Sequence, residues 1–189
     1  MKLKEHSVVL RGDSVVLRPM TEDDWDILLK WNSDPEALYF CEGDDITSWE
    51  LEPMQEMYRE VSQDAFCFII EFEGQPVGEC WLQRMNLDRI LSKYPGKDIR
   101  RIDLMIGEKS LWGCGLGTDV ICTLTRFGFE EQNADVIFGC TIADYNPRSL
   151  SAFQKVGYEL DVKIEMEPGK KARYEYDVAI TREKWQLGG

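Results

Sequence analysis

The sequence predicts a single α/β domain built on a mixed α+β sheet, in the order β-α-α-β-β-β-α-β-α-β-β. Three observations carry the prediction. Apolar runs of strand length alternate with stretches of helical periodicity along the chain. Turn residues such as Gly12-Asp13, Gly74, Pro95-Gly96 and Pro168-Gly169 separate them. With 189 residues, 43% of them hydrophobic, the chain is long enough for one core without a disulfide or metal staple, so residues 1–189 read as one domain.

The elements follow in order. Val8–Leu10 and Val15–Arg18 read as a strand pair turning at Gly12-Asp13, with Pro19 ending the second strand. Thr21 and Asp24 form a capping-box pattern ahead of a stripe of Trp25, Ile27, Leu28 and Trp31. A loop at Glu42-Gly43-Asp44-Asp45 leads to a second helix with Leu51, Met54, Met57, Tyr58 and Val61 on one face. Phe66–Phe72 and Val77–Leu82 are strands around the turn at Glu73-Gly74-Gln75-Pro76. A polar excursion from Asn86 to Asp98 precedes a strand at Ile99–Ile106. The glycine-rich turn Trp112–Gly117 opens a helix from Thr118 to about Glu131, and Val136–Ile142 is the next strand. Asn146-Pro147 starts a helix that ends at Val156 with Gly157 as its C-cap. Tyr158–Glu167 and Tyr174–Ile180 close as a hairpin.

A net charge of −13 disfavours phosphate backbones and anionic lipid, so neither nucleic acid nor membrane is an expected partner. The excess is concentrated. Between Glu22 and Glu60, thirteen acidic residues stand against Lys30 and Arg59, a local net of −11. That stretch is either a solvated face or an acidic rim that draws in a cation. The six cysteines contain no C-x-x-C pair and the only histidine is His6, so no metal site is expected. Cys67, Cys80, Cys122 and Cys140 sit in apolar runs and read as buried thiols of a reducing compartment. No apolar run nears the ~18 residues of a membrane span, and Met1–His6 lacks a leader's apolar core. A cytoplasmic protein is expected, monomeric or homodimeric.

The turn Gly113-Cys114-Gly115-Leu116-Gly117-Thr118 is the strongest chemical signal. Alternating glycines let the backbone approach a ligand, and the amides that open the next helix favour an anion such as phosphate. A turn that binds nothing is the alternative. The spacing is neither that of a dinucleotide fold nor of a Walker loop.

Two blocks resemble the GNAT superfamily of acyl-CoA-dependent N-acetyltransferases. The first is Trp112-Gly113-Cys114-Gly115-Leu116-Gly117, like the family's R/Q-x-x-G-x-G/A with Trp112 at the Arg/Gln place. The second runs from Asn146 through Ser149, Phe153 and Lys155 to Gly157-Tyr158, like the family's Asn followed by a helix ending near K-x-G-F/Y. Within the superfamily the chain is most similar to aminoglycoside 6'-N-acetyltransferases, on Ile102–Glu108 and the acidic portion with Tyr39–Gly43.

The resemblance implies acetyl-CoA as cofactor and a small cationic amine as acceptor, an aminoglycoside antibiotic among the candidates. It implies that the fourth and fifth strands splay, with Leu104, Met105 and Ile106 beside the pantothenate arm and the turn from Trp112 to Thr118 around the diphosphate. Asn146, Ser149 and Phe153 would meet the arm from the other side. Asn146 also suits a helix N-cap. Phe153 stands where many relatives have a thiolate-protonating Tyr, leaving water, Tyr145 or Tyr158 for that task. Asp103 matches the proposed base on the fourth strand. By its own chemistry it is a base, a substrate anchor, or the ion-pair partner of Arg100 or Arg101. Glu42, Asp44, Asp45, Glu79 and Asp144 are candidate acceptor contacts, with Trp49 and Trp81 as stacking surfaces. Two other readings stay open: acetylation of a protein N-terminus or lysine, and a silent acyl-CoA-binding module.

Overall fold

The structure is a computed structural model that describes residues 1–41, 46 and 48–188. Among the described residues eight strands form one sheet in the order β1-β2-β3-β4-β5-β6-β8-β7. They are β1 (Leu10–Arg11), β2 (Val15–Pro19), β3 (Ala65–Phe72), β4 (Gln75–Arg84), β5 (Ile99–Ile106), β6 (Val136–Ala143), β7 (Glu159–Glu165) and β8 (Tyr174–Thr181). All neighbours are antiparallel except β5 and β6. Those two are parallel and pair only over Ile99–Arg101 and Val136–Phe138. Beyond Arg101 they part, which is the expected splay. The family's fourth strand is β5 here, because the N-terminal hairpin counts as two.

The helices are α1 (Trp25–Asn32), α2 (Pro35–Cys41), α3 (Leu51–Asp64), α4 (Asp88–Leu91), α5 (Leu116–Glu130), α6 (Pro147–Val156) and α7 (Arg182–Gly188). Strand alternation sorts their partners. Phe68, Leu82 and Ile102 face α5 together with Leu124 and Phe127. Cys67, Ile69 and Met105 face the other way, onto Trp31, Met54 and Tyr58 of α1 and α3. A smaller cluster of Met85, Ile90, Ile99 and Phe138 lies beneath α4.

The capping box forms as expected, with Thr21 N–H donating to Asp24 Oδ2 at 2.9 Å. Asn146 caps α6 by accepting from Ser149 N at 3.2 Å, and Gly157 ends it at φ +104°. Three helices depart from the expectation. Residues 35–41 form α2, the polar excursion contains the single turn α4, and α7 follows the final hairpin. Each is short and shows no apolar stripe long enough to read as a period.

α1 and α2 are anchored beside the glycine turn. Glu108 accepts from Lys30 Nζ at 2.5 Å and from Trp31 Nε1 at 2.9 Å. Lys109 pairs with Asp34 at 2.8 Å and Glu36 at 2.9 Å. Gly107 permits this docking, since a Cβ there would fall 2.2 Å from the Trp31 ring. Gly107→Ala is therefore expected to destabilise the fold by about 2 kcal/mol through overpacking. Chemical denaturation checks this, and an unchanged midpoint would refute the packing argument.

Candidate active site

The splay of β5 and β6 opens onto a cavity of about 410 Å³. One wall is the end of β5, where Leu104, Met105 and Ile106 line it. The turn contributes Trp112, Gly113 and Gly115, and the start of α5 contributes Leu116, Gly117 and Thr118. Asn146, Ser149 and Ala152 come from α6 and its cap. All of these but Ala152 are expected contacts, and residues scattered from Leu104 to Ser149 are brought together at one place.

The turn has the geometry that an anion needs. Gly113 sits at φ +79° and Gly115 at φ +88°, a region that side chains rarely adopt. A Cβ on either would meet nothing within 4 Å, so the space in front of the turn is open. The first helical hydrogen bond of α5 is Asp119 N to Gly115 O at 3.1 Å. The amides of Leu116, Gly117 and Thr118 precede it and have no partner within the helix. With the positive end of a 15-residue helix behind them, they suit a phosphate. Apolar Leu104, Ile106 and Ile121 suit the aliphatic arm of a coenzyme. These residues therefore fit acetyl-CoA, diphosphate at the turn and arm along β5.

Asp103 lies on the opposite face of β5 from Leu104, outside the cavity lining. Arg101 donates to it from Nε at 2.8 Å and from Nη2 at 2.6 Å, and Trp81 Nε1 donates at 3.1 Å. The ion-pair partner is thus Arg101, while Arg100 pairs with Asp98 at 2.5 Å. Burial works against the Arg101 charge, but Asp103 beside it outweighs that and raises its pKa. Next to this pair lies a second charge network. Asp177 on β8 is fully buried, accepts from Arg89 at 2.8 and 2.9 Å, and accepts from Thr141 N at 2.8 Å. Thr141 occupies a bulge of β6 at φ +52°, a strained position for a β-branched residue.

Other expected contacts lie elsewhere. Phe153 is buried and packs on Gly139 and Tyr158, so it is a core residue and does not line the cavity. Cys114 is exposed on the far side of the turn. Tyr158 donates or accepts at Thr125 Oγ1 (2.7 Å) within the core, and Tyr145 stacks on Tyr39 at 5.2 Å. Neither lines the cavity. Glu79 is 5% exposed and borders Tyr58, whose pKa is raised by burial first and by Glu79 second. It is a buried group, not part of a surface rim. Trp49 packs on the α1–α3 cluster, and Asp144 follows β6 with its N–H on Tyr174 O. Glu42, Asp44 and Asp45 lie outside the described residues. Burial pushes the Cys67 and Cys140 thiols up to about 12, as inert core thiols should be.

Sequence reasoning missed ten lining residues, among them Ala37 and Phe40 of α2, and Arg148 and Lys155 of α6. For α6 the signal was available. Positions 148, 149, 152 and 155 share one helical face, and 153 lies off it.

Residues 14–159 match the family model of the acetyltransferase (GNAT) domain. Over 163 residues the chain is 25% identical to the aminoglycoside N(6')-acetyltransferase type 1 of Klebsiella pneumoniae, spanning 83% of this chain and 80% of that one. A solved acetyltransferase (GNAT family) from Bacillus anthracis superposes with a TM-score of 0.73 at 17% identity, covering 93% of this chain and 99% of that one. The structure of AAC(6')-Ib in complex with ribostamycin and coenzyme A superposes with a TM-score of 0.72 at 23% identity, covering 92% and 97%. At these identities the structural likenesses speak for the fold.

Proposed function

The chain belongs to the GNAT acetyltransferase family, and from that premise we propose that it acetylates the primary amine of a small cationic acceptor, an aminoglycoside among the candidates. The observation that carries the reading is the Asp103 carboxylate. It is held by Arg101 and Trp81 on the face of β5 opposite the coenzyme cavity, one residue from Leu104. An amine that approached along this face would meet a carboxylate held in place beside the splay, its charge shared with Arg101.

Bound acetyl-CoA supplies the thioester carbonyl and the leaving thiolate. The amides that open α5 would hold the diphosphate, and Leu104 and Ile106, which line the cavity, would flank the arm. Among the described residues the edge of β5 that faces β6 pairs with no strand past Arg101, and it would offer main-chain donors to a developing oxyanion. An alkyl ammonium has a pKa of about 10, so the acceptor must lose a proton before it attacks. Asp103 attracts and orients the ammonium, and takes its proton directly or through water. Phe153 and Tyr158 lie in the core, so neither would hand a proton to the leaving thiolate, and that task would fall to water.

The acidic N-terminal portion favours a cation, although part of it is spent on structure. Glu22 pairs with Arg59, Asp24 with Arg18, and Asp34 and Glu36 with Lys109. The remainder supplies a salt-sensitive pull.

A panel of kanamycin-type aminoglycosides, polyamines and N-terminal peptides tests the reading through thiol release from acetyl-CoA. The steady slope is the signal, because exposed Cys41 and Cys114 give only a fixed burst with a thiol reagent. Acceleration by aminoglycosides or polyamines is expected. Acceleration by peptides alone would overturn the small-amine acceptor, and acceleration by no amine would leave a coenzyme-binding module.

Asp103→Asn is expected to lower turnover about 100-fold while the Kd for acetyl-CoA changes less than about twofold. Turnover equal to wild type, in a variant of unchanged thermal midpoint, would remove Asp103 from the reaction.

A further inference from the structure

The Arg148 guanidinium is caught between two aromatic rings. Its central carbon stands 4.4 Å from the centre of Trp112 and 4.5 Å from that of Phe40. The two rings themselves meet edge to face at 5.7 Å. The Trp112 ring and the Phe40 backbone are each fixed in turn. Trp112 Nε1 donates to Ile106 O at 2.6 Å, and Phe40 O accepts from Asn146 Nδ2 at 3.2 Å. All three side chains line the cavity. Trp112 belongs to the turn after β5 and Arg148 to α6, so the stack spans the cleft from wall to wall.

A guanidinium carries its five N–H donors in its own plane. The two rings stand perpendicular, so the guanidinium can lie flat on only one of them, but neither ring takes up its N–H donors in the way a carboxylate partner would. Among the described residues Arg148 forms no ion pair. The chain's net charge is −13, and the glycine turn has Trp112 where the signature block has Arg or Gln. The turn itself therefore brings amides to an anion but no cation.

We propose that Arg148 is the cationic contact of the coenzyme's diphosphate, delivered from α6 onto the glycine turn with Trp112 and Phe40 as its platform. A planar fork matches two phosphate oxygens at once, and the platform removes the rotamer freedom that a surface arginine would lose on binding. The proposal rests on the reading of the cavity as the coenzyme site. Lys155, the other cation lining the cavity, also borders the neighbouring groove beside α7. It is the natural comparison.

Calorimetric titration of wild type, Arg148→Ala and Arg148→Lys with coenzyme A and with 3'-dephospho-coenzyme A tests this. Both ligands carry the diphosphate, and only the first carries the 3'-phosphate. Arg148→Ala should weaken both by the same factor, about tenfold or more, and should flatten the salt dependence of binding. Arg148→Lys keeps the charge but loses the planar fork and the ring stacking, and should recover only part of the loss. Three results would overturn the proposal. A loss confined to coenzyme A would move Arg148 to the 3'-phosphate. Unchanged affinity for both, or a lysine variant as weak as the alanine variant, would make the stack packing alone. Phe40→Leu leaves the arginine in place with half its platform, and should give an intermediate loss for both ligands. A wild-type protein that bound neither ligand would instead sink the coenzyme reading itself.

Discussion

Gly115→Val is expected to abolish coenzyme A binding, with a Kd at least about 100-fold weaker than wild type. Two effects act together. Gly115 sits at φ +88°, where a β-branched residue is strained by more than the roughly 1–2 kcal/mol that any Cβ meets there. A Cβ would also project into the open space before the amides of Leu116, Gly117 and Thr118. An anion held by those amides must occupy that space. The sheet should survive, because among the described residues a Cβ at Gly115 would meet nothing within 4 Å. Calorimetry with coenzyme A reads the loss, and far-ultraviolet circular dichroism reads the retained fold. Binding within a few-fold of wild type would contradict the cradle.

The second large effect is expected at Asp177. This carboxylate joins three segments that are distant in sequence: Arg89 on α4, Thr141 in the bulge of β6, and its own strand β8. Asp177→Ala would leave the Thr141 N–H without its acceptor and Arg89 without its ion-pair partner. Breaking a buried pair costs about 3–5 kcal/mol. Arg89 is 39% exposed and can turn to water, so the expected loss is about 3 kcal/mol, or about 10 °C in Tm. The bulge at Thr141 should then relax, and with it the splay against β5, so coenzyme affinity should drop about tenfold by the same route. Asp177→Asn keeps an oxygen for Thr141 and should lose less on both counts. A melting temperature for Asp177→Ala within 2 °C of wild type would show that the network holds nothing together.

The contrast between α6 and α2 shows why one was readable and the other was not. α6 carries every punctuation mark of a helix: an Asn cap, Pro at the first position, an apolar stripe and a closing Gly at φ +104°. α2 has Pro35 at its start but spans only seven residues, Pro35–Cys41. Its position comes from Lys109, which holds Asp34 and Glu36 from across the fold. A contact between residues 34 and 109 leaves no trace in a local window.

The candidate site divides in the same way. The glycine turn was legible because positive φ demands glycine, and a run of such glycines before a helix has few uses. Asp103 was legible as a charge in an apolar strand, and Arg101 as a possible partner, because residues two apart on a strand share a face. The same alternation puts Arg100 on the other face, where it pairs with Asp98. Phe153 is the instructive departure. It stands in the matching block, yet the helix turns it onto Gly139, and Arg148, Ser149 and Lys155 take the cavity face.

The splayed pair was implied by the family resemblance; from the sequence alone came most of the order of strands and helices, the anion-binding turn and the acidic bias. These depend on propensity, periodicity and backbone conformation, which act over a few neighbouring residues. The tertiary structure decided which side chains face the cleft, that Asp103 is held by Arg101 and Trp81, and that Phe40, Trp112 and Arg148 meet across it. Those facts depend on the direction in which each element buries its apolar face, and that direction is set by distant segments packing into one shared core.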